Sequence, residues 1–389
     1  MKYDVAIIGG LGHIGLPLGI LFANKNKNIL LVDSNLQHKD KVTNGEMPFL
    51  EYGAEDLLKK ALEKNLITIT SNPETIKNAK YIIVCIGTPV DEYLNPKVNQ
   101  FLDAMSIYRE YISEEQIVII RSSVFPGISN QVNQLLGSGM NLSFCPERIV
   151  QGYAIKEISN LPQIVSGFNE KAIKESAKLF EEIAKNIIYT TVTKAELAKL
   201  FSNTWRYVQF AATNQFYMIS HDLGEDYSDI RHLMMENYPR MEGLPSAGFA
   251  AGPCLLKDTM QLANLSRNAN FMAQAAMNIN ERMPEYIIDL IKRAHNISNV
   301  KVGILGMAFK ANIDDTRDSL SYKLKKLLNF EGALVFCSDE FVEDSTFISK
   351  EELINICEII VIGVPHDAYK KINFPSSVIL FDIWSMDKK

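Results

Sequence analysis

The sequence has few of the features that mark several classes of protein. Its 389 residues include only five cysteines, an odd number, and no CxxC pair occurs, which argues against a disulfide framework and a zinc site. Lysine and arginine are scattered and the net charge is −6, which argues against a surface for nucleic acid or anionic membranes. The longest apolar runs are strand-sized, far below the ~20 residues that span a bilayer. No signal peptide precedes the first predicted strand, and a reducing cytoplasm is the expected location.

The first half of the chain has the pattern of an α/β protein. Hydrophobic residues make up 47% and charged residues 22%, which is typical of a globular protein, and the length predicts two or three domains. Apolar, β-rich runs at residues 5–8, 29–32, 81–86, 117–120, 142–145 and 164–166 alternate with amphipathic stretches. Continuous apolar runs suit strands that are buried on both faces of a parallel sheet, so the alternation predicts βαβ crossovers.

The pattern then changes twice. Helical periodicity dominates residues 195–223 and 255–293, and Thr193 followed by Glu196 predicts a capping box at the start of the first stretch. Strand-like runs return at residues 300–305, 334–336, 359–364 and 378–381, and residues 301–306 and 358–365 echo residues 4–9 and 80–89. The prediction is two Rossmann-like doubly wound domains, 1–190 and 298–389, flanking a central all-helical domain, 191–297.

A glycine-rich loop, GLGHIG, follows the first predicted strand and precedes a helix-like stretch. Glycines in this context permit a tight turn and the approach of a pyrophosphate to a helix N-terminus. Asp33 ends the second predicted strand, where a carboxylate accepts hydrogen bonds from ribose hydroxyls and repels a 2′-phosphate. NAD is therefore predicted over NADP. The cofactor-binding candidates in this region are Gly10, Gly12, His13, Ile14, Gly15 and Asp33.

Polar residues follow three further strands of the predicted sheet. Thr88 and Ser123 lie where ligands bind in open α/β sheets, and each is also consistent with a simple turn. Glu147, with Arg148 as its partner, offers a carboxylate at the mouth of the site; a surface ion pair is the alternative.

Two helical segments carry candidate catalytic groups. Lys199 and Asn203 are four residues apart on one helix face and could stabilise an oxyanion, although a solvated face has the same pattern. Pro253 predicts that Cys254 lies in the first turn of a helix, where the helix dipole lowers a thiol pKa. Asp258 follows one turn later and could orient water or substrate. A buried, inert cysteine is the alternative, and the other four cysteines fit core strands.

The last domain contributes two cations. Lys310 and Arg317 occupy the turn after its first predicted strand, a position that faces a phosphate in nucleotide-binding folds.

Seven ordered motifs together resemble the UDP-glucose/GDP-mannose dehydrogenase family, the nucleotide-sugar 6-dehydrogenases. The resemblance covers nearly the whole chain. The motifs are GLGHIG with Asp33, GTP at 87–89, RSSVFPG at 121–127, CPERIVQG at 145–152, AELAKLFSN at 195–203, GPCLLKD at 252–258 and FKANIDDTRDS at 309–319.

The resemblance implies an NAD-dependent, four-electron oxidation. The C6 alcohol of a UDP-hexose (UDP-glucose or a UDP-N-acetylhexosamine) would become the UDP-uronic acid through a cysteine thiohemiacetal and thioester. Cys254 would be the nucleophile, and Lys199 and Asn203 would stabilise the oxyanion. Asp258, Glu147 and Ser123 would position water and relay protons.

The resemblance also implies binding roles and a homodimer built on the long central helix. Arg317 would lie near the cofactor, Lys310 near the nucleotide of the substrate, and Arg240 would reach the substrate of the neighbouring subunit. The implied substrate-binding set is Glu147, Arg148, Lys199, Asn203, Arg240 and Lys310. The downstream use implied is polysaccharide biosynthesis.

The chain departs from the family pattern at several positions. Ser123 stands where the family often has threonine, and Gln151 where a second glutamate is common. Residues 248–252 and Ser319-Leu320 also differ.

Two functions are alternatives to the four-electron oxidation. One is that of a two-electron β-hydroxyacid-type dehydrogenase, which would yield one NADH per product. The other is that of an inactive nucleotide-sugar-binding homologue.

Overall fold

The computed structural model describes residues 2–265 and 271–386, and the chain divides into two compact units, Met1–Ser202 and Asn203–Lys389. We call them unit 1 and unit 2. Residues 266–270 of the predicted helical stretch 255–293, and the last three residues of the predicted domain 298–389, lie outside the described residues.

Unit 1 is built on an eight-stranded sheet with helices between its strands. The strands are β1 (Tyr3–Ile8), β2 (Ile29–Val32), β3 (Ile67–Thr70), β4 (Ala79–Val84), β5 (Ile117–Ile120), β6 (Asn141–Phe144), β7 (Gln163–Gly167) and β8 (Ile187–Tyr189). The helices are α1 (Gly15–Asn24), α2 (Lys39–Thr43), α3 (Ala54–Glu63), α4 (Val98–Arg109), α5 (Ile128–Leu136), α6 (Ala154–Asn160) and α7 (Glu170–Phe180), with a 3₁₀ helix at Pro73–Asn78.

The strand order, β3-β2-β1-β4-β5-β6-β7-β8, reverses direction between β1 and β4. Successive residues of β1 pack on opposite faces: Val5 and Ile7 belong to one apolar layer, Ala6 and Ile8 to the other. Both faces are therefore covered, and the prediction of a doubly wound sheet is confirmed. The Gly-rich loop and the residues after β4 and β5 follow strand ends beside the reversal point, where ligands bind in this architecture.

The edges of this sheet differ from the prediction. β3 and β8 had no predicted counterpart, because edge strands are exposed on one side and lack a continuous apolar run: β8 has three residues, two of them exposed. β7 pairs antiparallel with β6 and parallel with β8, so the last two strands oppose the other six. The sheet is thus mixed, whereas a wholly parallel one was predicted.

The predicted capping box of Thr193 and Glu196 is wrong. Helix α8 (Val192–Asp222) already includes Thr193, so this residue is not an N-cap. The buried carboxylate of Glu196 instead accepts hydrogen bonds from the N–H groups of Gly127 (2.9 Å) and Ser129 (3.1 Å) at the start of α5. Glu196 therefore caps a different helix, a long-range contact that sequence spacing cannot reveal.

Unit 2 combines helices with a four-stranded parallel sheet. Helix α8 begins in unit 1 and ends in unit 2. The other helices are α9 (Tyr227–Met235), α10 (Leu255–Leu265), α11 (Phe271–Glu281), α12 (Met283–Ala294), α13 (Leu320–Phe330) and α14 (Lys350–Ile356), with 3₁₀ helices at Pro239–Met241 and Asp367–Tyr369. The strands are β9 (Lys301–Leu305), β10 (Leu334–Ser338), β11 (Ile359–Ile362) and β12 (Ile379–Phe381), in the order β10-β9-β11-β12.

The internal echo seen in the sequence has a counterpart in topology. β9 lies between β10 and β11 just as β1 lies between β2 and β4, and all these pairs are parallel. Val302 and Ile304 of β9 pack into one apolar cluster and Leu305 into another. The small sheet is therefore also covered on both faces.

Within residues 2–265 and 271–386, no helix combines the length and apolarity needed to cross a membrane.

Candidate functional site

The glycines of the first βα loop serve different purposes. A Cβ at Gly15 would lie 2.2 Å from the carbonyl oxygen of Gly9, and one at Gly10 would lie 2.8 Å from Leu31 Cα, so both glycines are needed for packing. A Cβ at Gly12 would meet its nearest protein atom at 3.6 Å, an ordinary contact. The missing side chain of Gly12 thus leaves room that the protein does not fill, which suits the close approach of a pyrophosphate. Ile14, the N-cap of α1, has an apolar side chain and leaves the helix N-terminus uncapped for an anion.

Asp33 follows β2 and faces this loop. Its Oδ2 accepts the N–H of Leu11 at 3.0 Å, and its Oδ1 accepts the N–H of Asn35 at 3.0 Å. Each carboxylate oxygen has a second lone pair, so the group can hold the loop and still accept hydrogen bonds from ribose hydroxyls. The residues present therefore fit NAD.

His13 is held on two sides within the same loop. Its ring lies 3.9 Å from the ring of Phe49, centroid to centroid, and the Nε2 of Gln151 lies 3.1 Å from its Nδ1. An amide nitrogen only donates, so Nδ1 accepts and the neutral ring carries its proton on Nε2. Gln151, which departs from the family pattern, therefore contacts the cofactor loop.

The loops after β4 and β5 are joined to each other. The hydroxyl of Thr88 donates to the backbone carbonyl of Ser123. The contact places both predicted residues at one edge of the sheet.

Glu147 is a buried carboxylate whose partner is Lys199. The Lys199 ammonium lies 3.0 Å from Glu147 Oε1, and both side chains are at most 10% exposed. Glu147 Oε2 accepts the N–H of Ile149 at 2.7 Å. The predicted pairing with Arg148 is wrong, because Arg148 donates to the carbonyl of Pro162. Burial of the Glu147–Lys199 pair argues against the solvated-surface alternative for either residue.

Two buried side chains that the sequence did not single out, Arg121 and Gln163, hold the backbone just before Glu147. Arg121 donates through Nη1 to the Cys145 carbonyl (3.3 Å) and to Gln163 Oε1 (2.9 Å). Gln163 Nε2 in turn donates to the Pro146 carbonyl at 3.1 Å. The two residues that precede Glu147 are thus fixed. A lone arginine at the end of an apolar strand was the only sequence signal for this contact.

In unit 2, Cys254 lies at the start of a helix, as an exposed thiol. Helix α10 begins at Leu255, and the N–H of Asp258 donates to the Cys254 carbonyl at 2.9 Å. Cys254 is therefore the residue just before the first turn, not within it as predicted. The preceding Gly252 has φ +104°, and a Cβ there would lie 2.5 Å from the ring of Phe309. Only glycine satisfies both requirements.

Arg317 acts electrostatically on Cys254. Burial opposes the charge of Arg317, but its hydrogen bonds to Asp315 and the charge of Cys254 raise its pKa above the usual value. Its Nη2 lies 2.6 Å from Asp315 Oδ2. Because such coupling is mutual, the guanidinium favours the thiolate of Cys254. This electrostatic effect is separate from the predicted role of Arg317 near the cofactor, which remains a prediction.

Asp258 is fully buried and only partly satisfied. Its Oδ2 accepts from Asn203 Nδ2 at 2.6 Å. Its Oδ1 lies 3.2 Å from Lys257 Nζ but is not in hydrogen-bonding alignment and has no hydrogen-bond partner in the structure. A buried carboxylate oxygen without a donor is costly unless a water or ligand supplies one. This oxygen therefore retains the capacity to accept a hydrogen bond.

Two other predicted residues lie in loops of unit 2. Lys310 is half-buried after β9, and Arg240 is exposed in the 3₁₀ helix Pro239–Met241, where its guanidinium lies over the ring of Tyr238 at 5.5 Å.

Comparison with known proteins gives the same family for each part of the chain. Models of the UDP-glucose/GDP-mannose dehydrogenase family match residues 3–188 (NAD binding domain), 193–282 (central domain) and 303–387 (UDP binding domain).

Relatives and solved structures agree over nearly the full length. A UDP-N-acetyl-D-mannosamine dehydrogenase of Pyrococcus horikoshii is 29% identical over 96% of this chain and 91% of its own. A structure of UDP-D-ManNAc dehydrogenase from this organism superposes with a TM-score of 0.87 at 28% identity, covering 95% and 91% of the two chains. A UDP-glucose dehydrogenase structure from Pyrobaculum islandicum has a TM-score of 0.89 at 20% identity, covers 99% and 98%, and shows the shared fold. The chain therefore belongs to the UDP-glucose/GDP-mannose dehydrogenase family and is an NAD-dependent oxidoreductase of nucleotide sugars.

Proposed function

We propose that this enzyme oxidises the C6 alcohol of a UDP-N-acetylhexosamine to the UDP-uronic acid through a covalent intermediate on Cys254. The observation that carries the proposal is the exposed Cys254 at the start of α10, with Arg317 acting on its charge. A thiol that is favoured as thiolate suits an acyl-enzyme, which a two-electron dehydrogenase does not need.

The chemistry balances as a four-electron oxidation. Bound NAD supplies the hydride acceptor for both oxidations. The Cys254 sulfur adds to the aldehyde of the first oxidation to form a thiohemiacetal, and the second oxidation leaves a thioester on the sulfur. Water then breaks the C–S bond and releases the acid. In total, one alcohol, one water and two NAD give one carboxylate, two NADH and three protons.

The roles of the polar groups follow from their contacts. The Lys199 ammonium, which pairs with Glu147, and the Asn203 amide, which donates to Asp258, are donor groups of the kind that stabilise an oxyanion. The unsatisfied Oδ1 of Asp258 can accept a hydrogen bond from the attacking water. Glu147, fixed by its neighbours, can act as a general base.

The relatives favour an N-acetylated hexose as substrate. Six curated relatives, at 27–29% identity, are UDP-N-acetyl-D-mannosamine dehydrogenases. We therefore propose UDP-N-acetyl-D-mannosamine first, ahead of UDP-N-acetylglucosamine and UDP-glucose.

None of the five cysteines, all within the described residues, forms a disulfide, which suits the proposed cytoplasmic location.

The test is stoichiometry across a panel of these nucleotide sugars. We expect two NADH per uronate, with products weighed by mass spectrometry and the highest kcat/KM for UDP-N-acetyl-D-mannosamine. One NADH per product would support the two-electron alternative. Nucleotide-sugar binding without NADH production would support an inactive homologue.

A homodimer is the second proposal, and it rests on an apolar stripe that runs along α8 to Leu223, the residue just after its end. Trp205, Phe216, Ile219 and Leu223 are 41–75% exposed, and with the exposed Ala212 they recur at intervals of seven, four, three and four residues. This heptad-like spacing places them on one helix face, as in helix-to-helix interfaces. A second copy of the chain presents the same stripe, so a two-fold pairing would cover both. In such a dimer the exposed Arg240 is available to a neighbouring subunit.

The dimer predicts a change of mass on one substitution. Ile219→Glu should convert a dimer into a 43.8 kDa monomer, because a charge would be buried in the interface. Leu233→Glu, at a leucine on α9 that is 75% exposed against 49% for Ile219, is the control and should stay dimeric. Light scattering after gel filtration measures the result, and a monomeric wild-type protein would contradict the proposal.

A further inference from the structure

His366 is a buried histidine that the proposed chemistry does not use. It follows β11, its side chain has no exposed surface, and its Nε2 lies 3.1 Å from Oδ2 of Asp339, which follows β10. Its Nδ1 accepts the backbone N–H of Asn312 at 2.9 Å. Because Nδ1 accepts, the neutral ring carries its proton on Nε2 and donates it to Asp339. The imidazole is thus a bridge between a carboxylate and a backbone amide.

Asp339 is the counterpart of Asp33, but its lone pairs are used. Its Oδ2 also accepts the N–H groups of Met307 (2.6 Å) and Ala308 (3.0 Å), and its Oδ1 accepts those of Phe341 and Val342. Burial alone would raise its pKa, but His366 and the N–H groups lower it to about 2. A carboxylate with this many donors cannot also bind a ribose. Asp339 instead anchors His366 and the backbone of two neighbouring loops.

The segment anchored through His366 is the loop after β9. Asn312 has φ +58° and is tied a second time, since its Nδ2 donates to Asp367 Oδ2 (2.7 Å) and its Oδ1 accepts the Asp367 N–H (3.0 Å). Three hydrogen bonds therefore hold one residue of this loop to residues 366–367.

The same loop carries two cations, Lys310, which is expected near the nucleotide of the substrate, and Arg317, whose charge favours the Cys254 thiolate. Lys310 precedes Asn312 by two residues, and Arg317 lies further along. Phe309 packs on Gly252, and the Asp318 carbonyl accepts the Gly252 N–H at 3.4 Å, two residues before Cys254. Displacement of residues 309–318 would therefore move both cations and the turn that leads to the thiol.

We propose that His366 is a positioning residue for the nucleotide sugar, which holds residues 309–318 to Asp339 as a neutral donor–acceptor bridge. The claim that His366 positions the nucleotide sugar rests on the proposed function. The claim that His366 holds residues 309–318 does not. Two buried variants separate bonding from packing. His366→Gln keeps one donor and one acceptor, whereas His366→Phe keeps a ring against Phe341 and Tyr369 but neither bond.

The full-length variants are compared by hydrogen exchange and by titration with UDP and NAD. We expect His366→Phe to speed amide exchange across residues 309–318 and to weaken UDP binding about tenfold or more, with NAD affinity unchanged. His366→Gln should remain within about threefold of wild type. Asp367→Ala removes an exposed part of the same anchor without disturbing the core, and should weaken UDP binding by a smaller factor in the same direction.

The outcomes separate the two proposals. Wild-type exchange and UDP affinity in folded His366→Phe would overturn the positioning role, as would equal losses in the Gln and Phe variants. If His366→Phe does not fold, an unchanged UDP affinity in Asp367→Ala together with a loss in His366→Gln would overturn it. Wild-type protein that bound no UDP would count against the proposed function, while exchange in residues 309–318 would still decide the structural role.

Discussion

Cys254→Ala is expected to abolish uronate formation while leaving NAD and UDP binding intact. Without the sulfur, no thiohemiacetal or thioester forms, and loss of a nucleophile lowers kcat by about four orders of magnitude or more. NADH production and mass spectrometry of the product measure the effect. Cys357→Ala, at a buried cysteine in unit 2, is the matched control and should keep wild-type turnover. Unchanged uronate formation in Cys254→Ala would refute the covalent mechanism.

The same assignment can be checked without substrate. Burial raises the pKa of the other four thiols, to about 12 for Cys85 and Cys145 and to about 11 for Cys337 and Cys357. Since only the thiolate reacts with iodoacetamide, these four are protonated and inert near pH 8. Labelling of the native protein should therefore fall on Cys254. Equal labelling of a second cysteine would show that the exposed position is not chemically distinct.

The sequence predicted the sheet cores well because a strand buried on both faces must be apolar throughout. The predicted runs at 29–32 and 117–120 coincide with β2 and β5. Edge strands β3 and β8 face solvent on one side and carry no such requirement, so they were missed. The glycine-rich turn after β1 was also predictable, because the backbone atoms close to Gly10 and Gly15 leave no room for a Cβ.

Partners of polar side chains were harder to predict, because they depend on contacts far apart in the chain. Glu196 caps α5 rather than its own helix, and Glu147 pairs with Lys199, 52 residues away, rather than with its neighbour Arg148. Short spacings favoured the wrong local partners in both cases. The solvated-face alternative for Lys199 and Asn203 nevertheless does not hold, since both side chains are buried.

Breaking the Glu147–Lys199 pair should lower both stability and kcat, and a second substitution should restore only the stability. In Lys199→Met the carboxylate of Glu147 is left buried without its cation, which should lower apparent stability by about 3–5 kcal/mol. The same variant loses an oxyanion donor, so kcat should fall about 10²–10³-fold. Adding Glu147→Gln removes the unpaired charge while its amide oxygen can still accept the Ile149 N–H. The double variant should therefore regain most of the lost melting temperature.

Activity should not return with stability. In the double variant the glutamine side chain at position 147 cannot act as a base and the methionine side chain at position 199 cannot donate a hydrogen bond. The kcat should therefore stay at or below that of the single variant. Thermal melts and single-turnover NADH bursts, run on the same preparations, measure the two quantities. A double variant that recovered both would mean that the pair is only structural. A Lys199→Met variant with wild-type kcat would remove Lys199 from the oxyanion site and leave Asn203 as its donor from α8.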